Sequence, residues 1–240
     1  SFGPAVGWRV VVLDPYQVAL IGHAQDDPRR RAAVELIGRE NPGVDPSGSG
    51  GEWFRDVQGY DRRFVPYNGG LGADQLAWLR CELAAAAAAS ERVLILCHVI
   101  LHPQACGGGT MVWDYPEALE IIRSEQAAGC VAAVLCGHDH FGGYHCDEHG
   151  VHHCTFCSPL NRGDDGSAFG LVHVRDGSLE VVGPCVEDLL PTMKRGTPTG
   201  RPAATACADG ANAQAITLDL PTRRGALATP KVPERVSARL

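Results

Sequence analysis

Positive charge is in short supply. The chain sets 21 Lys and Arg against 28 Asp and Glu, a formal charge of −7, so it has no basic footprint for nucleic acid or an anionic bilayer. Any phosphate it handles has to be held by a local cation. Long apolar runs are absent as well. No stretch reaches the roughly 18 residues that suggest a membrane-spanning helix, so no membrane role is expected. There is no initiator Met: the chain opens at Ser1 and enters an apolar segment at once, so an N-terminal portion is expected to be missing and targeting signals are not readable. Aromatic residues make up only 6% of the chain, and none follows Phe169. Beyond residue 186 the sequence is rich in Pro, Gly, Ala and Thr without a periodic apolar stripe. Such a segment buries too little to offset its ordering entropy, so 1–186 is read as one folded unit and 187–240 as a disordered tail.

The ten cysteines are scattered. Cys97, Cys130 and Cys136 lie in or beside apolar runs, where a thiol acts as a small core residue. That favours a reducing, cytoplasmic setting over a disulfide framework.

What is present is an alternation of strand and helix. Residues 9–14 and 17–22 read as two strands split by Asp14-Pro15, and "DDPRRRAAVELIGREN" reads as a capped helix. A helix with Leu76, Leu79 and Leu83 on one face follows Gly72 and runs through the alanines 84–89. "RVLILCH" and "CVAAVLCGH" are unbroken apolar runs, as expected of strands covered on both faces, with the helix "DYPEALEIIRSEQAAG" between them. Two hairpins follow, the second turning at Asp176-Gly177. The fold class is α/β with antiparallel additions.

Both apolar strands end in histidine, one at His98 and the other at His138, with His140 two residues later. In an open α/β sheet ligands gather beyond the carboxyl ends of the strands, and neutral imidazole is the commonest metal ligand. Gly137 would supply the freedom to turn both rings toward one cavity. A single histidine at a strand end is more often a hydrogen-bonded boundary residue; three delivered to one edge favour a metal site. A rival metal reading uses "HHCTFC", where Cys154 and Cys157 form a CxxC beside His152 and His153, although a structural zinc site wants a second compact ligand pair.

The segments "YNGGLGADQLAWL", "CHVILHPQA", "VWDYPEALEII", "CVAAVLCGHDHFGGY", "GVHHCTF" and "SAFGLVHV", in this order, resemble the C-terminal part of the manganese-dependent ADP-ribose/CDP-alcohol diphosphatases, within the calcineurin-like metallophosphoesterases. The resemblance implies a sandwich of two packed mixed sheets flanked by helices, its N-terminal portion missing. It implies two divalent ions, manganese by family, with His98 and His138 on one and His140 on the other. The remaining family ligands, a bridging Asp among them, are not found; Asp14 in "LDPY" is not followed by the Gly-Asn-His that would mark it. The chain by itself is therefore expected to be inactive. The implied reaction is hydrolysis of the phosphoanhydride in a small nucleoside diphosphate derivative, with oligomeric state undetermined. His102 is a candidate proton donor or a plain pocket residue. Asn68 and Gly69 either approach the nucleotide or form a helix-cap turn, and Trp113 and Tyr115 either stack on a base or pack. A generic metallophosphoesterase acting on phosphomonoesters or phosphodiesters, and a non-catalytic Cys/His zinc module, are the competing readings.

Overall fold

The computed structural model describes residues 1–45, 51–124, 126–127, 129–161, 169–175, 177–184, 186, 189, 204–208, 214–220 and 237–239. In chain order the elements are β1 (Trp8–Leu13), β2 (Val18–Ala19), α1 (Pro28–Glu40), β3 (Gly69–Gly70), α2 (Gly72–Ala88), β4 (Arg92–Cys97), α3 (Tyr115–Ile122), β5 (Val131–Cys136), β6 (Gly143–Cys146), β7 (His152–Thr155), β8 (Leu171–Arg175), β9 (Ser178–Val182), β10 (Ala204–Ala208), β11 (Gln214–Asp219) and β12 (Ser237–Arg239).

The central sheet has the order β1-β4-β5-β7-β6. Its first four strands are parallel, and β6 closes one edge antiparallel to β7. Every residue of β5 is buried, the consequence of apolar layers on both faces. On one face Leu79 and Leu83 of α2 and Ile121 and Ile122 of α3 pack over Val11, Ile95 and Val134. On the other, Trp8, Leu94, Leu135 and Tyr144 meet Val172, Leu179 and Val181 of a second sheet, ordered β10-β11-β9-β8-β12 and antiparallel throughout. This is the two-sheet sandwich with helices outside the first sheet.

Local chemistry explains the helix starts. Asp27 caps α1 by accepting the Arg29 N–H at 2.8 Å, with Pro28 in the first turn. The start of α2 is capped from a distance: both oxygens of Asp114 accept N–H groups, from Leu71 at 2.9 Å and Gly72 at 2.8 Å.

Three expectations change. The strand expected over 17–22 shrinks to β2, which pairs with β3. α3 ends at Ile122 with Arg123 as its C-cap, short of Gly129. The tail reading fails for residues 214–219. Here β11 pairs with β9, and Ile216 and Leu218 are completely buried between the sheets. "QAITLDL" alternates apolar and polar residues, and a strand added to an existing sheet needs one aliphatic face rather than aromatic mass. Most of the rest of 187–240 lies outside the described residues.

Candidate metal site

Because β4 and β5 are adjacent, parallel and in register at Leu96 and Leu135, they release their histidines at one edge of the sheet. The Gly137 N–H donates to the His98 carbonyl at 3.0 Å and holds the two exits together. The His98 and His138 rings then meet edge to face, centroids 5.1 Å apart. The turn is not made by Gly137. His138 itself has φ +68, a left-handed conformation uncommon for a residue with a side chain. Burial, and then the neighbouring His98, lowers the His138 pKa to about 4; burial and His140 lower that of His98. Both are neutral imidazoles at pH 7, the state in which a ring nitrogen binds metal.

Asp139, between the two motif histidines, faces inward. Its Oδ2 accepts the Gly107 N–H at 2.9 Å and the Thr110 hydroxyl at 3.0 Å, and its Oδ1 accepts the Phe141 N–H at 3.1 Å. The carboxylate is spent on tying the 107–110 loop to the histidine loop. His140 is exposed, and its carbonyl accepts the Asn161 side-chain amide at 2.8 Å. His138 and His140 share a cavity of about 630 Å³ with Phe54, Arg62, Tyr67, Thr110, Phe141 and Asn161. The ligand atoms of His98, His138 and His140 do not all lie within 4.8 Å of one another.

Asn68 is wholly buried behind His138, with Oδ1 at 2.7 Å from His138 Nε2. It does not line the cavity. Gly69 lies in β3, where a Cβ would stand 2.4 Å from the Pro15 carbonyl oxygen, so close backbone approach requires glycine there. Trp113 is buried with Leu20, Ile37 and Phe64 and borders a separate cavity of about 480 Å³. Tyr115 is half-buried, edge-on to Tyr60 at 6.5 Å. Of the four residues considered for substrate contact, none borders the histidine cavity. Phe54, Arg62, Tyr67, Phe141 and Asn161 border it instead; their sequence signal is weak, since they lie in loops and short 3-10 turns without a repeating pattern.

His102 also turns away. Ile100 and Leu101 carry the chain inward, and His102 Nδ1 lies 3.2 Å from the Gln104 backbone nitrogen at the start of the 3-10 turn Pro103–Ala105. Its ring packs on His145 at 4.4 Å and on His153 at 4.5 Å. Among the described residues His102, Asp147 and His153 form a buried trio with metal-like spacing. Arg123 already supplies its cation, with Nη2 at 3.0 Å from His102 Nε2. Asp147 is saturated: Oδ1 accepts from the His149 and Val151 N–H groups, and Oδ2 from Arg123 Nε at 3.1 Å and His153 Nε2 at 3.4 Å. A dication would have to displace the guanidinium. Cys154 and Cys157 belong to no such group.

No family model matches the chain. Curated relatives do: a manganese-dependent ADP-ribose/CDP-alcohol diphosphatase from Arabidopsis thaliana is 37% identical over 183 residues, 76% of this chain and 56% of the relative. The Homo sapiens protein of that name is 31% identical over 174 residues, 72% of this chain and 48% of the relative. A solved structure, a dimetal phosphatase from Danio rerio, matches with a TM-score of 0.64 and 27% identity over 75% of this chain and 55% of that one. The sequence and fold fit the metallophosphoesterase superfamily. The chain spans about half the length of the curated relatives it matches. No helix among its described residues is long and apolar enough to cross a membrane.

Proposed function

We propose that the protein hydrolyses the phosphoanhydride of nucleoside diphosphate derivatives such as ADP-ribose or CDP-alcohols, using two divalent ions, manganese in the first instance. The observation that carries this is the pair of neutral imidazoles, His98 and His138, in ring contact at the ends of adjacent parallel strands, with His140 opening on the same cavity as His138. The names of the relatives, manganese-dependent ADP-ribose/CDP-alcohol diphosphatases, support the metal and the substrate class. His98 and His138 would hold one ion and His140 the other. Bound there, such ions would lower the pKa of a water nucleophile and neutralise the phosphoryl oxygens.

The chain's own groups suit the rest of the substrate. Arg62, its guanidinium 4.6 Å from the Phe54 ring centroid, offers positive charge at the cavity wall. The exposed faces of Phe54 and Phe141 suit stacking of a base. A cytoplasmic location belongs to the same reading, since Cys97, Cys130 and Cys136 are buried as small core residues.

The test uses protein expressed from the full gene, with and without manganese, on ADP-ribose, a CDP-alcohol and p-nitrophenyl phosphate. The expected result is manganese-dependent release of nucleoside monophosphate that His138→Ala reduces at least about 100-fold, roughly 2.7 kcal/mol of transition-state stabilisation. Preference for the phosphomonoester would move the protein to the generic phosphoesterases. Metal-independent turnover would overturn the reading.

A further inference from the structure

Behind the candidate metal site, Asn68 and His138 meet across 70 residues of sequence. The inference drawn from them rests on the metal reading of His138 and extends it. Asn68 has three polar sites, and all are engaged. Its Nδ2 donates to the Arg63 carbonyl at 2.8 Å and to the Gly109 carbonyl at 2.8 Å. With both amide hydrogens on carbonyl oxygens, only Oδ1 is left to face His138 Nε2, at 2.7 Å. Flipping the amide would set Oδ1 against two carbonyl oxygens, so the partners decide the orientation.

An oxygen that can only accept requires a donor opposite it. Nε2 of His138 must therefore carry the proton, and in a neutral imidazole Nδ1 is then bare. The seating of the ring is over-determined. The Gly109 carbonyl that anchors Asn68 belongs to the 107–110 loop, and the same loop is fastened to the residue after His138, through Gly107 N–H and Thr110 hydroxyl on Asp139. Two independent ties between the same loops thus fix both the backbone and the ring of His138, in a left-handed conformation it would not otherwise favour.

We propose that Asn68 is a positioning residue that holds His138 as its Nε2–H tautomer, so that Nδ1 is the nitrogen presented to a metal ion. Outer partners of this kind set the tautomer and orientation of a ligating histidine, and losing one typically costs about 10–100-fold in metal affinity. Asn68 touches neither metal nor substrate. Its effect is carried entirely by the ring it faces.

The experiment is a long-range proton–nitrogen correlation on protein labelled with nitrogen-15 at histidine, His138 being assigned by its loss in His138→Gln. A single Nε2–H pattern for His138 in the unsubstituted protein is expected, needing no Asn68 variant. Zn2+, a diamagnetic probe, should then shift Nδ1 selectively. In Asn68→Ala the ring should populate both tautomers and Mn2+ affinity, read by titration, should fall about 10–100-fold. An Nδ1–H pattern in the unsubstituted protein, or an unchanged pattern and affinity in a folded Asn68→Ala, overturns the proposal. An Nε2–H pattern with no response of Nδ1 to Zn2+ separates the two claims: it supports the tautomer assignment and overturns the metal role on which the second half depends.

Discussion

His102 illustrates how a residue chosen for chemistry can serve stability. Burial, then the nearby His153, His145 and Arg123, holds its pKa down to about 3. A neutral buried histidine binds fewer protons than its unfolded counterpart, so its stabilisation is present above the unfolded pKa near 6.5 and is lost as pH falls toward 3. Between pH 7 and pH 5 the loss is roughly 2 kcal/mol for this residue alone. Asp147 acts in the same direction lower down. Burial raises its pKa, but the hydrogen bond and charge of His153, the Val151 N–H and Arg123 outweigh that and hold it well below the carboxylate range, so its contribution goes as pH drops below about 4. The melting temperature should therefore fall between pH 7 and pH 5 by several degrees, and His102→Gln should flatten that slope while lowering stability at pH 7. An equal slope in the variant would show that His102 is not held neutral.

At the scale of elements, glycines separate crowded joints from open ones. Gly143 opens β6 against the turn Pro103–Ala105, and a Cβ there would stand 2.4 Å from the Ala105 carbonyl oxygen, a backbone atom. Gly38 sits inside α1, where a methyl would meet nothing within 4 Å and φ is unexceptional. Gly143→Ala should cost about 1–3 kcal/mol, the usual range for overpacking, whereas Gly38→Ala should stabilise by about 0.5–1 kcal/mol; urea midpoints decide both. The same contrast explains how much the sequence disclosed. β4 and β5 were legible because burial on both faces leaves an unbroken apolar run, and their terminal histidines were legible because an imidazole has no place in such a run. What escaped were contacts that depend on the folded path. Asp114 caps a helix more than 40 positions earlier, Asp139 ties down a glycine loop, and Asn68 grips a ring 70 residues away. No local pattern marks these partners. The alternation in 214–219 is too short to stand out in a Pro- and Gly-rich segment and went unread, because the sheet that gives it a place to dock is not visible in the sequence.

For the whole molecule, the question is whether the sandwich is complete without its last strands. Ile216 and Leu218 enter the core between the sheets, beside Leu179 and Val181. Burying two aliphatic side chains is worth about 1.5–3 kcal/mol each. A polar tie runs along the same seam: the buried His152 on β7 donates from Nε2 to the Asp219 carbonyl at 2.8 Å, while its Nδ1 lies 2.8 Å from the Tyr144 hydroxyl. Because a carbonyl can only accept, Nε2 carries the ring proton and Nδ1 accepts from Tyr144. Removing β11 would leave that N–H without its partner, a further cost of about 1–3 kcal/mol. The three terms add because all act on the same face. A chain ending at Leu189 should therefore melt on the order of 10 °C lower than the 240-residue chain, at about 2–4 °C per kcal/mol for a protein of this size. Leu218→Ala in the uncut chain should reproduce part of the loss, about 2–5 kcal/mol, which separates core packing from any general effect of truncation. Equal melting temperatures for the cut and uncut chains would mean that the first sheet, its helices and the β8–β9 hairpin close the core by themselves, and that β11 rests on the sandwich without supporting it.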